Sequence, residues 1–193
     1  MNIQTIPLMS LMALIAMAGL AGAGQTGDSL IVPGERIGQT HLGNDGAETL
    51  KHLPKPSGVD RGMSQTRQVW KSRPGGSFET LFIYTVNNGA MDVEPTDGVT
   101  IELIRVTAKY FRTANSISTG STLEQIRKAF PDAVPLDDVP TIYDDLKQGI
   151  AFEFPKEPTA GSPCIAIMVH PPGESHVATQ TQVASVLQEG NKD

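Results

Sequence analysis

The residue types with the most chemical potential lie near the C-terminal end of the chain, in His170-Pro171-Pro172-Gly173-Glu174-Ser175-His176. Two imidazoles and a carboxylate bind zinc when a backbone brings them together. Their spacing is that of neither a helical zinc site nor a knuckle, and the two prolines hold the segment extended. The sequence therefore assigns no metal and no other cofactor, leaving His170, Glu174 and His176 as candidate ligands. His41 and His52 lie far upstream and could join them only through the fold.

Other catalytic patterns fail on their own terms. Cys164 is the only cysteine; a reactive thiolate needs an electropositive, partly open setting, and the neighbouring Ile165 and Ile167 predict a packed small residue instead. Gly120-Ser121 and Gly161-Ser162 lack the Gly-x-Ser-x-Gly elbow. Asp137-Asp138 and Asp144-Asp145 could pair as acid and base, yet no calcium-type oxygen loop surrounds them and a solvated setting is expected. Gly43-Asn44-Asp45-Gly46 lacks the Gly-Lys-Ser ending of a phosphate loop. No catalytic residue emerges, and the expectation is a non-enzyme. Recognition remains: Trp70, Tyr84, Tyr110, Phe111 and Tyr143 are the aromatic residues suited to anchor a partner. Trp70 and Tyr84 are the expected binding residues, set on an open sheet face.

Composition narrows the partners. The formal net charge is −6, with acidic and basic residues interspersed, so the sequence carries no basic footprint for nucleic acid or an anionic membrane. Met1 to Ala23 has the build of a secretory signal: an apolar run from Ile6 to Leu20 ends in Ala21-Gly22-Ala23, and is too short to span a membrane. No cysteine follows that would carry an acyl anchor. The expectation is a soluble periplasmic or secreted protein, without a membrane span once the signal is removed. A single cysteine permits no internal disulfide, so the core must hold by burial alone.

The elements that position these residues come as a pair. Gly43 to Leu53 and Thr119 to Phe130 each join a helix-capping signature to a short amphipathic run. Asp45 is the expected first N-cap, with Glu48 reaching back to it, and Leu50 and Leu53 share a face before Pro54 and Pro56. Ser121 is the expected second N-cap, with Glu124 completing its box; Leu123, Ile126, Ala129 and Phe130 share a face before Pro131. A brief strand is predicted over Ile37 to Leu42. Thr66 to Ser72 and Phe78 to Val86 predict an antiparallel pair, and Val99 to Val106 a third strand exposed on one face. Thr141 to Tyr143, Gly149 to Phe154 and Pro163 to His170 predict the strands of the second half. A frayed helix or mobile tail is expected after Val177.

Ile37-Gly38-x-x-x-Leu42-Gly43, with Glu48 and Leu50 beyond, and Thr119-Gly120-Ser121-x-x-Glu124-x-Ile126 resemble a motif of two exported families. These are the β-lactamase inhibitor protein repeats and the SmpA/OmlA-type outer-membrane assembly lipoproteins. The resemblance implies helices packed on antiparallel strands, in tandem units that build one long curved sheet; it implies no particular binding residue. The chain departs from both families, having neither an acylated cysteine nor the disulfides that staple inhibitor repeats.

The reading is an α+β fold of two imperfect helix-plus-antiparallel-meander repeats forming one continuous or paired sheet. The expected divisions are a signal at 1–23, a lead-in at 24–32, repeat one at 33–112, repeat two at 113–176 and a polar tail at 177–193. The expected role is an exported module that binds another exported or envelope protein without turning it over. The alternative is a metal-dependent or hydrolytic enzyme whose site forms only in three dimensions around His170 to His176.

Overall fold

A computed structural model describes residues 29–43, 46–72, 79–87, 98–178 and 180. The expected signal, the N-cap Asp45 and the tail beyond 180 lie outside the described residues. In chain order the elements are β1 (Leu30–Val32), β2 (Arg36–Ile37), β3 (Thr40–His41), α1 (Gly46–Lys51), β4 (Gly58–Gly62), β5 (Gln65–Ser72), β6 (Glu79–Asn87) and β7 (Val99–Val106). There follow β8 (Arg112–Thr113), α2 (Leu123–Ala129), β9 (Val134–Pro135), β10 (Ile142–Asp145), β11 (Ile150–Glu153) and β12 (Ala166–Val169). Among the described residues the protein is mostly β, with two sheets and the two short helices α1 and α2. No helix among the described residues is long and apolar enough to cross a membrane.

Runs rich in β-branched and aromatic residues build an eight-stranded sheet in the order β4-β5-β6-β7-β12-β11-β10-β9. All its neighbours are antiparallel, and β7 meets β12 at the centre. A second, four-stranded sheet, β3-β2-β1-β8, contains one parallel pair, β1 with β8.

The large sheet buries both faces. On one, Ile83, Ile104, Ile126, Phe152 and Ile167 form a core against which Leu50 and Leu53 also pack. Both helices therefore lie over the same side. On the other, Phe82, Tyr84, Leu103 and Met168 are buried, with Leu136, Val139 and Val177 against them. That covering departs from the expected open face.

Four local departures have physical causes. The first meander has a fourth strand, β4, whose Gly-Val-Asp-Arg-Gly sequence has Val59 as its one β-former and which pairs with β5 through its backbone. The expected strand at 37–42 is broken into β2 and β3 by a turn at Gly38, whose φ of 58° suits glycine. β7 is buried along most of its length rather than exposed on one face. The register shifts there: Tyr84 faces Leu103 while Thr85 faces Ile101, leaving Glu102 unopposed and turning Ile101 and Ile104 to the same core.

The fourth concerns α2, whose N-cap is Thr122 and not Ser121. Gln125 N–H donates to Thr122 Oγ1 at 3.3 Å, and Gln125 Oε1 accepts from Thr122 N–H at 2.9 Å. Ser121 is committed elsewhere: its carbonyl accepts from Cys164 N–H at 2.9 Å and its hydroxyl accepts from Ser118 N–H at 3.0 Å. The first-turn amides of Leu123 and Glu124 donate to the carbonyls of Ser162 and Ala160, so α2 is fixed to the segment leading into β12. In α1, Glu48 pairs with Lys51 at 3.0 Å and His52 at 3.3 Å. The Lys51 hydrogen bond is the main cause of its lowered pKa.

Candidate functional site

The His170 to His176 segment does not gather its three side chains. His170 continues from β12 and is wholly buried. Its Nε2 lies 2.9 Å from Asp144 Oδ1, and its Nδ1 faces the carbonyl oxygens of Glu174 at 2.8 Å and Pro171 at 3.0 Å. Carbonyl oxygens only accept, so Nδ1 carries a proton and donates. Burial acts most strongly on this imidazole and disfavours its charge, but the hydrogen bond and charge of Asp144 and the two carbonyls outweigh it, raising the pKa. Glu174 contributes its backbone, and its side chain is exposed. His176 instead packs on Tyr84, ring centroids 5.9 Å apart. Among the described residues, no three His, Cys, Asp or Glu side chains cluster as a metal site.

Asp144 was expected to be solvated beside Asp145. β10 instead turns Asp144 inward next to Ile142, and its Oδ2 has no hydrogen-bond partner among the described residues. Asp145 is buried too, its carboxylate accepting from Gln148 N–H at 3.0 Å and Gln148 Nε2 at 2.7 Å. A second ion pair spans β7 and β11: Arg105 Nε and Nη2 both reach Glu153 Oε2 at 2.8 Å. Cys164 is 1% exposed, and burial pushes its thiol up to about 12. The thiol is thus protonated at neutral pH and unsuited to attack.

Trp70 and Tyr84 do not share a surface. They lie on adjacent strands but belong to opposite cores, Trp70 with Ile83 on the helical side and Tyr84 with Phe82 on the other. The two rings therefore lie on opposite faces of the sheet. Tyr84 is 2% exposed, with the Arg67 guanidinium carbon 5.5 Å from its ring centroid. Trp70 is 9% exposed, and its Nε1–H donates to the Pro54 carbonyl at 2.6 Å.

Trp70 nonetheless reaches an open cleft of about 440 Å3, whose apolar wall consists of Trp70, Leu81, Val106, Ala108, Tyr110 and Phe111. Tyr110 and Phe111 meet edge to face with centroids 4.6 Å apart, and Tyr110 is 54% exposed. Aromatic composition pointed to Tyr110 and Phe111 as anchors; their meeting with Trp70 depends on β5, β6 and the end of β7 lying side by side. No protein-family model, curated protein or solved structure matches the chain.

Proposed function

We propose that this chain is an exported, non-enzymatic module, periplasmic or secreted, that binds another exported protein or envelope component at the cleft beside Trp70. The cleft carries the reading: it sets large aromatic rings at an open surface, whereas the His170–Asp144 pair and Cys164 are sealed in the interior. The Met1 to Ala23 signal pattern supports export. The strand order β4-β5-β6-β7-β12-β11-β10-β9, with both helices over one side, supports a duplicated helix-plus-meander unit, repeat one over 33–112 and repeat two over 113–176. The kinship with inhibitor-type and SmpA/OmlA-type modules is proposed on the sequence motifs alone.

Photocrosslinking tests the binding reading. With benzoylphenylalanine at position 110, the exported chain should couple to one envelope component, and with the same residue at the exposed Val134 it should not. Coupling at 134 alone, or at neither position, would refute the cleft.

A further inference from the structure

We infer that His170 is a pH-sensitive latch for a C-terminal strap, residues 174–178 and 180: the strap covers one face of the large sheet while the imidazole keeps a hydrogen on both nitrogens, and opens locally when one is lost. Three side chains lay the strap on that face. His176 packs on Tyr84, Val177 is buried with Phe82 and Leu103, and Gln180 Oε1 accepts from Arg67 Nε at 2.9 Å. Upstream, Gly173 N–H donates to the Leu146 carbonyl at 2.8 Å, a tie that does not titrate. The next residue is held by the imidazole itself, whose Nδ1–H donates to the Glu174 carbonyl at 2.8 Å.

The ring is committed on both sides. Nδ1 faces two carbonyl oxygens and Nε2 faces Asp144 Oδ1, so all three contacts are met only with a hydrogen between each nitrogen and its acceptors. A neutral ring beside a carboxylate has one hydrogen to share. Kept on Nδ1, it sets the Nε2 lone pair against Asp144; moved to Nε2, it drops the Glu174 carbonyl and with it the start of the strap. In a wholly buried setting either loss is costly, and opening the strap relieves it by letting water reach the ring. Whether the shared hydrogen sits nearer Nε2 or Oδ1, its departure has this effect. The raised pKa of His170 has the matching sign, since the closed form holds the proton more tightly than the open one.

Among the described residues Asp144 is the charged side chain that bears on the ring. Asp145, next on β10, is taken by Gln148, and Lys147 in the turn beyond is exposed. Arg105 of β7 and Glu153 of β11 pair with each other, as do Glu35 and Arg36 in the turn that rests on Gly149. Within the strap the Glu174 side chain is exposed and His176 is the second group able to titrate near neutrality. A strap held by a few side chains opens at lower cost than strands buried on both faces. The face it uncovers carries Phe82, Tyr84 and Leu103.

Hydrogen exchange read residue by residue by NMR tests the latch, with the Gln180 amide, which donates to the His176 carbonyl at 3.2 Å, reporting on the strap. Its protection, corrected for the intrinsic exchange rate, should fall about fivefold or more between about pH 6 and about pH 8.5. Throughout, it should stay below the protection of the β6 and β7 amides, which marks opening of the strap with the sheet intact. His176→Gln, at an exposed position, should keep the fall, and His170→Gln should abolish it. Protection equal to that of β6 and β7 would mean that the strap leaves only on global unfolding, and overturns the inference. So does a flat profile in the wild type, a fall that vanishes in His176→Gln, or one that survives in His170→Gln. Should His170→Gln not fold, the wild-type and His176→Gln profiles decide by themselves.

Discussion

Gly34 donates its amide hydrogen to the Gly149 carbonyl at 3.1 Å, so the turn joining β1 to β2 rests on the turn joining β10 to β11. Neither residue has room for a side chain. A Cβ on Gly34 would lie 2.8 Å from Pro172 Cγ, and one on Gly149 would run into the His170 carbonyl oxygen and lie 2.9 Å from Gly34 Cα. Gly149 also holds φ at 72°. Gly149→Ala should therefore cost about 2 kcal/mol or more, seen as a lower urea midpoint at unchanged slope. A midpoint equal to wild type would show that the two turns do not bear on one another.

The Asp144–His170 pair predicts a pH dependence of known sign. A raised imidazole pKa means that the native state holds the proton more tightly than the unfolded chain does. The contribution is complete below about pH 6.5, the ordinary histidine value, and is lost as pH climbs through the higher native value. The melting temperature should fall across that rise, and His170→Gln should flatten the profile.

Removing one partner of that pair is a separate matter. Asp144→Ala leaves a buried imidazolium unopposed and should cost about 3 kcal/mol at pH 6 by denaturant titration. A loss under about 1 kcal/mol would mean the two side chains are not coupled.

Cys164 should resist a thiol reagent in the native protein at pH 8 and react fully in denaturant, because burial keeps its thiol protonated and inaccessible. Rapid native labelling would contradict its packing beneath the α2 connection.

Thr122→Ala removes the oxygen that accepts Gln125 N–H and should lower stability by about 1 kcal/mol. Restoring the cap with Thr122→Ser should recover most of it, which a general loss of packing would not permit.

Richness in β-branched and aromatic residues made β5 and β6 legible and alternation made β7 and β11 so, while Leu81, Phe82, Ile83 and Tyr84 form an unbroken apolar run because the sheet is buried on both sides. β4 was not legible, since Gly58 to Gly62 becomes a strand only through the backbone groups β5 offers it. The second helix was visible one residue early: Ser121 has a capping side chain, but its backbone pairing with Cys164 is set far along the sequence. Glu102 as a bulge likewise needs the opposing strand to exist. At the site, Trp70 was identified by type, yet its contact with Pro54, like that of His170 with Asp144, comes from chain crossings that local patterns do not encode.

β1 is laid parallel against β8, and the turn that follows it leans on residues near 149. The first described strand can pair with β2 as soon as both are made, but its other edge has no partner until the chain reaches β8. The locally paired β1-β2-β3 segment must wait for β8 and for the turn near 149 before it docks, so its seating follows the synthesis of those later segments.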